Sequence, residues 1–157
     1  MNIAQSGDEL RESWRSVRTI EAMIQANTGP VLGSLIPHAT GFARVPESLL
    51  LIFSVSVLEA ALKHFRNKGD FTSPGIELRA LMKASKTALA WQDYGAVDRV
   101  RLRRNRVAHR AELLNPGECA DALAVIAREL LAWNVLTEDT KIRYAVSFRP
   151  DTQSPLS

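Results

Sequence analysis

Cysteine is nearly absent. Cys119 is the only one among 157 residues, which excludes an internal disulfide and any cysteine-based zinc cage. Histidine is scarce too: His38, His64 and His109 lie far apart, and no group of His and carboxylates falls at ligand spacing. No metal and no cofactor is therefore expected. The first dozen residues lack a basic stretch followed by an apolar one, so no secretory signal is expected. The most apolar stretch, 49–58, is broken by Ser54 and Ser56 and ends at Glu59. It is too short for a membrane span and reads as a buried helix. There is no internal repeat, no low-complexity tract and no run of strand-like segments. What remains is 46% hydrophobic and 24% charged, the balance of a soluble globular chain long enough for one core and too short for two. The expected location is the cytoplasm, with no membrane partner.

The chain reads as helices. Asp8 opens a stripe of Leu10, Trp14, Val17, Ile20 and Ile24 at three-to-four spacing, ending near Asn27 before Thr28, Gly29 and Pro30. Gly29, Pro30, Gly33, Pro37 and Gly41 make 28–45 an irregular loop. Pro46 and Glu47 suit the first turn of a second helix, apolar almost all round and central to the fold, which runs to about Phe65 and is stopped at 68–70. Ile76, Leu78, Leu81, Met82 and Leu89 predict a third helix to about Trp91. Asp93 caps a fourth through Val97, Val100 and Val107. Asn115, Pro116 and Glu118 form a start signal for a fifth carrying Leu123, Ile126, Leu130, Leu131 and Val135. The expected fold is all-α, an antiparallel bundle of about five helices over 1–140. Residues 141–157 form an extended or flexible tail in which 142–148 alternates like a short strand.

Between Arg99 and Arg110 there are six arginines (99, 101, 103, 104, 106, 110) and no acid. Two readings stand side by side. The run meets anions, for which the guanidinium fork is well suited; or it is a solvated face whose arginines pair with acids such as Asp98, Glu112 or Glu118. Within the run, Asn105 and His109 are four apart and share a helix face, with β-carbons about 5–6 Å apart. Arg104 precedes that face by one position, and its long stem can bring the guanidinium round. An imidazole moves protons near neutral pH, a guanidinium stabilises charge building on phosphate oxygens, and an amide orients either partner. Such a trio makes sense for phosphodiester chemistry on RNA.

This string, Arg104 and Asn105 followed at the fourth place by His109, resembles the Arg-polar-x-x-x-His signature of HEPN domains. An apolar helix with an acid at Glu59 precedes it and an amphipathic helix follows it, as in that family. The likeness is sharp over 104–109 and rests on helix order over about 8–136. The resemblance implies a metal-independent endoribonuclease in which the ribose 2′-hydroxyl attacks the adjacent phosphate. It also implies a symmetric homodimer with facing motifs, and a role as a toxin or in defence against phage with a protein partner such as an antitoxin. A two-fold axis near His109 would supply the second proton-transfer group that one copy lacks. Family toxins silenced by nucleotidyl transfer carry a tyrosine two residues after the histidine. Here that position is Ala111, which speaks against that mode of control.

The candidate site is thus Arg104, Asn105 and His109, with Glu59 as a structural or orienting partner of Arg104 and with Arg103, Arg106 and Arg110 as RNA contacts or surface charges. Each has a plainer role: His109 as a helix-terminal histidine, Asn105 as an indifferent polar residue. Trp14, Trp91 and Trp133 are expected in the core or an interface, His38 and His64 as structural, and Cys119 as a small filler. Besides the ribonuclease, two functions fit: a non-catalytic helical dimer binding RNA or protein through its Arg-rich face, and an accessory subunit binding nucleotide near Arg104.

Overall fold

A computed structural model describes residues 5–27 and 45–139, which form five helices and, among the described residues, no strand. The expected loop at 28–44 and the tail beyond 140, including the strand-like 142–148, lie outside the described residues.

Helix α1 (Gly7–Asn27) begins one residue before Asp8. The Ser6 hydroxyl accepts the Glu9 N–H at 3.3 Å while the Glu9 carboxylate accepts the Ser6 N–H at 2.8 Å. This is a reciprocal capping box, legible in the Ser-x-x-Glu spacing but not used in the sequence reading. Leu10, Trp14 and Val17 are buried as expected, whereas Ile20, assigned to the same stripe, is 39% exposed.

Helix α2 (Val45–Lys68) is the axis of the fold, packing against each of the other four helices. Its 24 residues are long and apolar enough, by length and composition, to cross a membrane. The sequence reading had judged only the 49–58 run and found it too short. Leu50, Leu51, Val55, Leu58, Ala61 and Leu62 are each at most 2% exposed, so α2 is the core helix of the bundle. One stripe remains open, with Leu49 and Phe53 exposed.

Helix α3 (Leu78–Ser85) is shorter than the expected segment to Trp91. The Ser85 carbonyl collects the N–H groups of Ala88 and Leu89 and the indole N–H of Trp91. These bonds fold the chain back into a turn that leaves Leu89 outside the helix, while Ile76 precedes its start at Leu78. Trp91 stacks edge-on to Trp133 and Tyr94, with centroids 4.7 and 5.1 Å away.

Helix α4 (Tyr94–Arg110) starts where Asp93 predicts, its carboxylate accepting the Ala96 N–H at 2.8 Å. Val97, Val100 and Val107 are buried. Helix α5 (Pro116–Ala132) opens on Asn115, whose side chain accepts the Glu118 N–H at 2.8 Å, with Pro116 next. At its far end Asn134 takes a positive φ of 57°. The N–H groups of Val135 and Asn134 then return to the Leu130 and Leu131 carbonyls in a Schellman turn. This turn, rather than a further helical turn, buries Val135.

Two buried charged groups tie the ends together. Arg18 on α1 is 2% exposed and meets Asp139 at 2.5 Å and Glu21 at 2.9 Å. Burial alone would lower its pKa, but the hydrogen bonds and charges of Asp139 and Glu21 outweigh it and hold the guanidinium above its ordinary value. Glu129 on α5 is 1% exposed, and its two oxygens each accept one backbone N–H, from Gln92 and Asp93, at 2.8 Å. Glu129 thereby fixes the entry to α4.

Candidate functional site on helix α4

Helix α4 projects Leu102, Asn105, Arg106, His109 and Arg110 into one shallow, open depression. His109 lies in the last turn, exposed, with no hydrogen bond or ion pair to any described residue. Asn105 is one turn back on the same face and half-buried. Arg104 points off that face into the seam with α2, as its helix position dictates. Its Nη1 donates to Asn105 Oδ1 at 3.1 Å and its Nη2 stands 3.9 Å from Glu59 Oε2. Its Nε is buried and finds no acceptor. The three motif side chains are thus contiguous: Arg104 touches Asn105, and Asn105 shares the depression with His109.

The Arg104 bond also sets the amide's orientation. A guanidinium can only donate, so Oδ1 faces Arg104 and the Nδ2 hydrogens are left for a ligand beside His109. The surface there offers an imidazole, an amide donor and the Arg106 and Arg110 cations, groups able to hydrogen-bond an anion.

The arginine run divides between the two readings. Arg101 pairs with Asp98 at 2.8 Å, and Arg106 with Glu112 at 3.3 Å. Arg103 turns toward α5 and is fully engaged. Its Nε meets Glu118 at 2.8 Å, its Nη1 meets Glu112 at 2.5 Å, and its Nη2 donates to the Leu113 carbonyl at 3.1 Å. An RNA contact by Arg103 would require breaking that set. Arg99 and Arg110 have no ion pair among the described residues. What Arg103 does instead is hold the 111–115 loop. On the other side the Ser48 hydroxyl accepts the Leu114 N–H at 3.1 Å, with Leu114 itself 1% exposed. The histidine-bearing end of α4 is fixed from both α2 and α5.

Ala111, the residue in the tyrosine position, closes α4 in the left-handed region at φ 52°, ψ 31°. Glu59, expected as the partner of Arg104, is closer to Lys63 on its own helix, at 2.7 Å. Lys63, Glu129 and Ser48 were missed by the sequence reading. Only Lys63 left a signal, the four-residue spacing from Glu59.

The other described candidates make contacts of their own outside the depression. His38 lies outside the described residues, and His64 Nδ1 is 2.9 Å from the Gln5 carbonyl. Trp14 and Trp133 are buried in the core and Trp91 is half-buried against Trp133. Cys119 is 3% exposed, and burial, with the charges of Glu21 and Glu47 next, pushes its thiol up to about 12. No group of three or more His, Cys, Asp and Glu among the described residues is placed to hold a metal ion. Set against protein-family models, curated proteins and solved structures, the chain matches none of them.

Proposed function

We propose that this chain is an endoribonuclease of the HEPN type, an antiparallel bundle acting on RNA through Arg104, Asn105 and His109. The observation that supports it most is the contiguity of the motif: an under-bonded guanidinium on an amide, and that amide beside an exposed histidine. Opposed pairing along the chain supports the antiparallel arrangement, since Ser48 meets Leu114 while Glu59, further along α2, meets Arg104, earlier on α4.

In this reading the ribose 2′-hydroxyl attacks the neighbouring phosphorus. A base removes its proton, the 5′-oxygen leaves and takes a proton from an acid, and the products carry a cyclic phosphate and a free 5′-hydroxyl. Arg104 and the Asn105 amide bear on the phosphate oxygens, and His109 moves one proton. A second proton-transfer group comes from a second copy across a two-fold axis, in a cytoplasmic homodimer. The exposed Leu102, at 45%, beside His109 and the open Leu49 and Phe53 on α2 are apolar surface consistent with such an interface. A toxin or phage-defence role follows from the same reading, with control by a protein partner that does not depend on a tyrosine at position 111.

The test is incubation of wild type and His109→Ala with structured RNA in EDTA, followed by analysis of fragment ends. Cleavage by wild type alone, with cyclic phosphate ends, is expected. Intact RNA in both lanes over a broad substrate panel overturns the reading. The close pairing of three of the six arginines in the run with acids favours a second one, a non-catalytic module that binds RNA or protein. Under it, binding survives His109→Ala and remains salt-sensitive.

A further inference from the structure

We propose that Lys63 is a positioning residue for the site: it holds Glu59 off Arg104 and so keeps the Arg104 guanidinium free for a phosphate. The inference rests on the RNA reading above and concerns how the same site is kept receptive.

Arginine beside a carboxylate in a half-buried seam ordinarily closes into a two-pronged pair. Here it does not. Glu59 Oε1 is 2.7 Å from Lys63 Nζ, whereas Glu59 Oε2 is 3.9 Å from Arg104 Nη2, beyond hydrogen-bond reach. Among the described residues the only side-chain hydrogen bond of Arg104 is to the neutral Asn105 amide, and its buried Nε has no acceptor there. A buried donor left unpaired is costly and is expected to find a partner. Two acceptors compete for the outer nitrogens of this under-bonded guanidinium, the Glu59 carboxylate and an incoming phosphate. Lys63 biases the contest, because Glu59 and Lys63 are four apart on α2 with the carboxylate N-terminal, the favourable order for such a pair.

Charge leads to the same conclusion. Lys63, Glu59 and Arg104 together carry one net positive charge, and without Lys63 the remaining pair is neutral. A phosphate arriving at Asn105 and His109 would then meet an arginine already neutralised by its neighbour. Lys63 reaches the site through Glu59, which it meets at 2.7 Å.

The experiment is a double-mutant cycle on binding of a short 2′-O-methyl RNA strand, which cannot be cleaved, using wild type, Lys63→Met, Glu59→Gln and the double variant. The Lys63 side chain is 39% exposed, so Lys63→Met is expected to fold, and thermal melts check this. Lys63→Met should weaken binding roughly threefold to tenfold, the range of coupling between neighbouring groups. In the Glu59→Gln background the same substitution should change binding less than about twofold, because the carboxylate it restrains is gone. Lys63→Arg should restore wild-type binding.

Equal losses in both backgrounds would make Lys63 a direct phosphate contact and overturn the proposal, as would no loss in either. Nitrogen NMR of the ligand-free proteins supplies an arm that needs no RNA. Rotation of the Arg104 guanidinium should slow in Lys63→Met as Glu59 closes on it. If wild type fails to bind the strand, the ribonuclease reading is what fails, and this rotation decides the role of Lys63: slowing upholds it and unchanged rotation overturns it.

Discussion

Glu129→Gln changes one oxygen for an NH₂ group, yet it should be among the more damaging single substitutions in the chain. The carboxylate is 1% exposed and accepts the Gln92 and Asp93 N–H groups, one per oxygen, at 2.8 Å. Gln keeps one acceptor and sets its own donors against the other N–H, so one charge-assisted bond is lost and two donors are forced together. A hydrogen bond to a charged group contributes about 1.5–3 kcal/mol. Because the two amides are partly solvated, a loss of about 2 kcal/mol is expected for Gln. Glu129→Ala removes both acceptors and leaves a cavity, for about 3–4 kcal/mol. At this chain length 1 kcal/mol corresponds to roughly 2–4 °C in Tm, so Glu129→Gln should melt about 4–8 °C below wild type. Urea unfolding followed by far-UV circular dichroism gives the free energy directly. A change below about 0.5 kcal/mol for Gln would refute the claim that Glu129 fixes the entry to α4. Hydrogen exchange adds a local check, since the Gln92 and Asp93 amides should lose protection.

Three other substitutions and one chemical treatment have definite outcomes. Ala111→Gly should raise stability by about 0.5–1 kcal/mol in the same urea assay, because alanine at φ 52° carries a left-handed penalty that glycine lacks, partly offset by glycine's unfolded-state freedom. Arg103→Ala should cost about 1–2 kcal/mol, since Glu112, Glu118 and the Leu113 carbonyl all lose their donor. Arg110→Ala should leave Tm unchanged but flatten the salt dependence of RNA binding by about one unit of slope. Cys119 should resist iodoacetamide at pH 8 in the native chain and react once unfolded, its thiol being pushed from 9.0 up to about 12, chiefly by burial. The folded chain holds that proton more tightly than the unfolded one. The stability from this group is therefore complete below pH 9 and is lost as pH rises toward 12, which alkaline urea titrations would follow.

Much of the architecture was legible because helices advertise themselves locally. Asp93 and Asn115 were read as caps from residue type and position alone, and each accepts the expected N–H. The apolar run beginning at Leu49 identified the central helix because no amphipathic surface helix is apolar on nearly every side. What failed depended on distant residues. The third helix stops at Ser85 because Trp91 folds back onto its carbonyl, a contact that periodicity cannot register. Ile20 repeats at helical spacing yet stays exposed, since spacing locates a face without saying how wide the covering neighbour is. Glu129 sits on an apolar stripe between Ile126 and Leu130, and nothing local announces that two backbone amides wait for it.

The same distinction explains the site. Sequence placed Asn105 and His109 on one face through the repeat of the helix, but it left the fate of six arginines open between anion binding and pairing. Position around α4 shows which of them meet acids. Arg103 falls on the side of α5 and is consumed by Glu112 and Glu118, holding the loop that follows His109. Arg104 falls on the side of α2, where the nearest carboxylate is already engaged by Lys63, and it keeps an unpaired donor. Arg110 lies on the open face with His109. A basic run is thus not one patch. Neighbouring arginines make different contacts according to which helix each one meets, and Arg103 and Arg104 part ways because one step along α4 turns the side chain by about 100°.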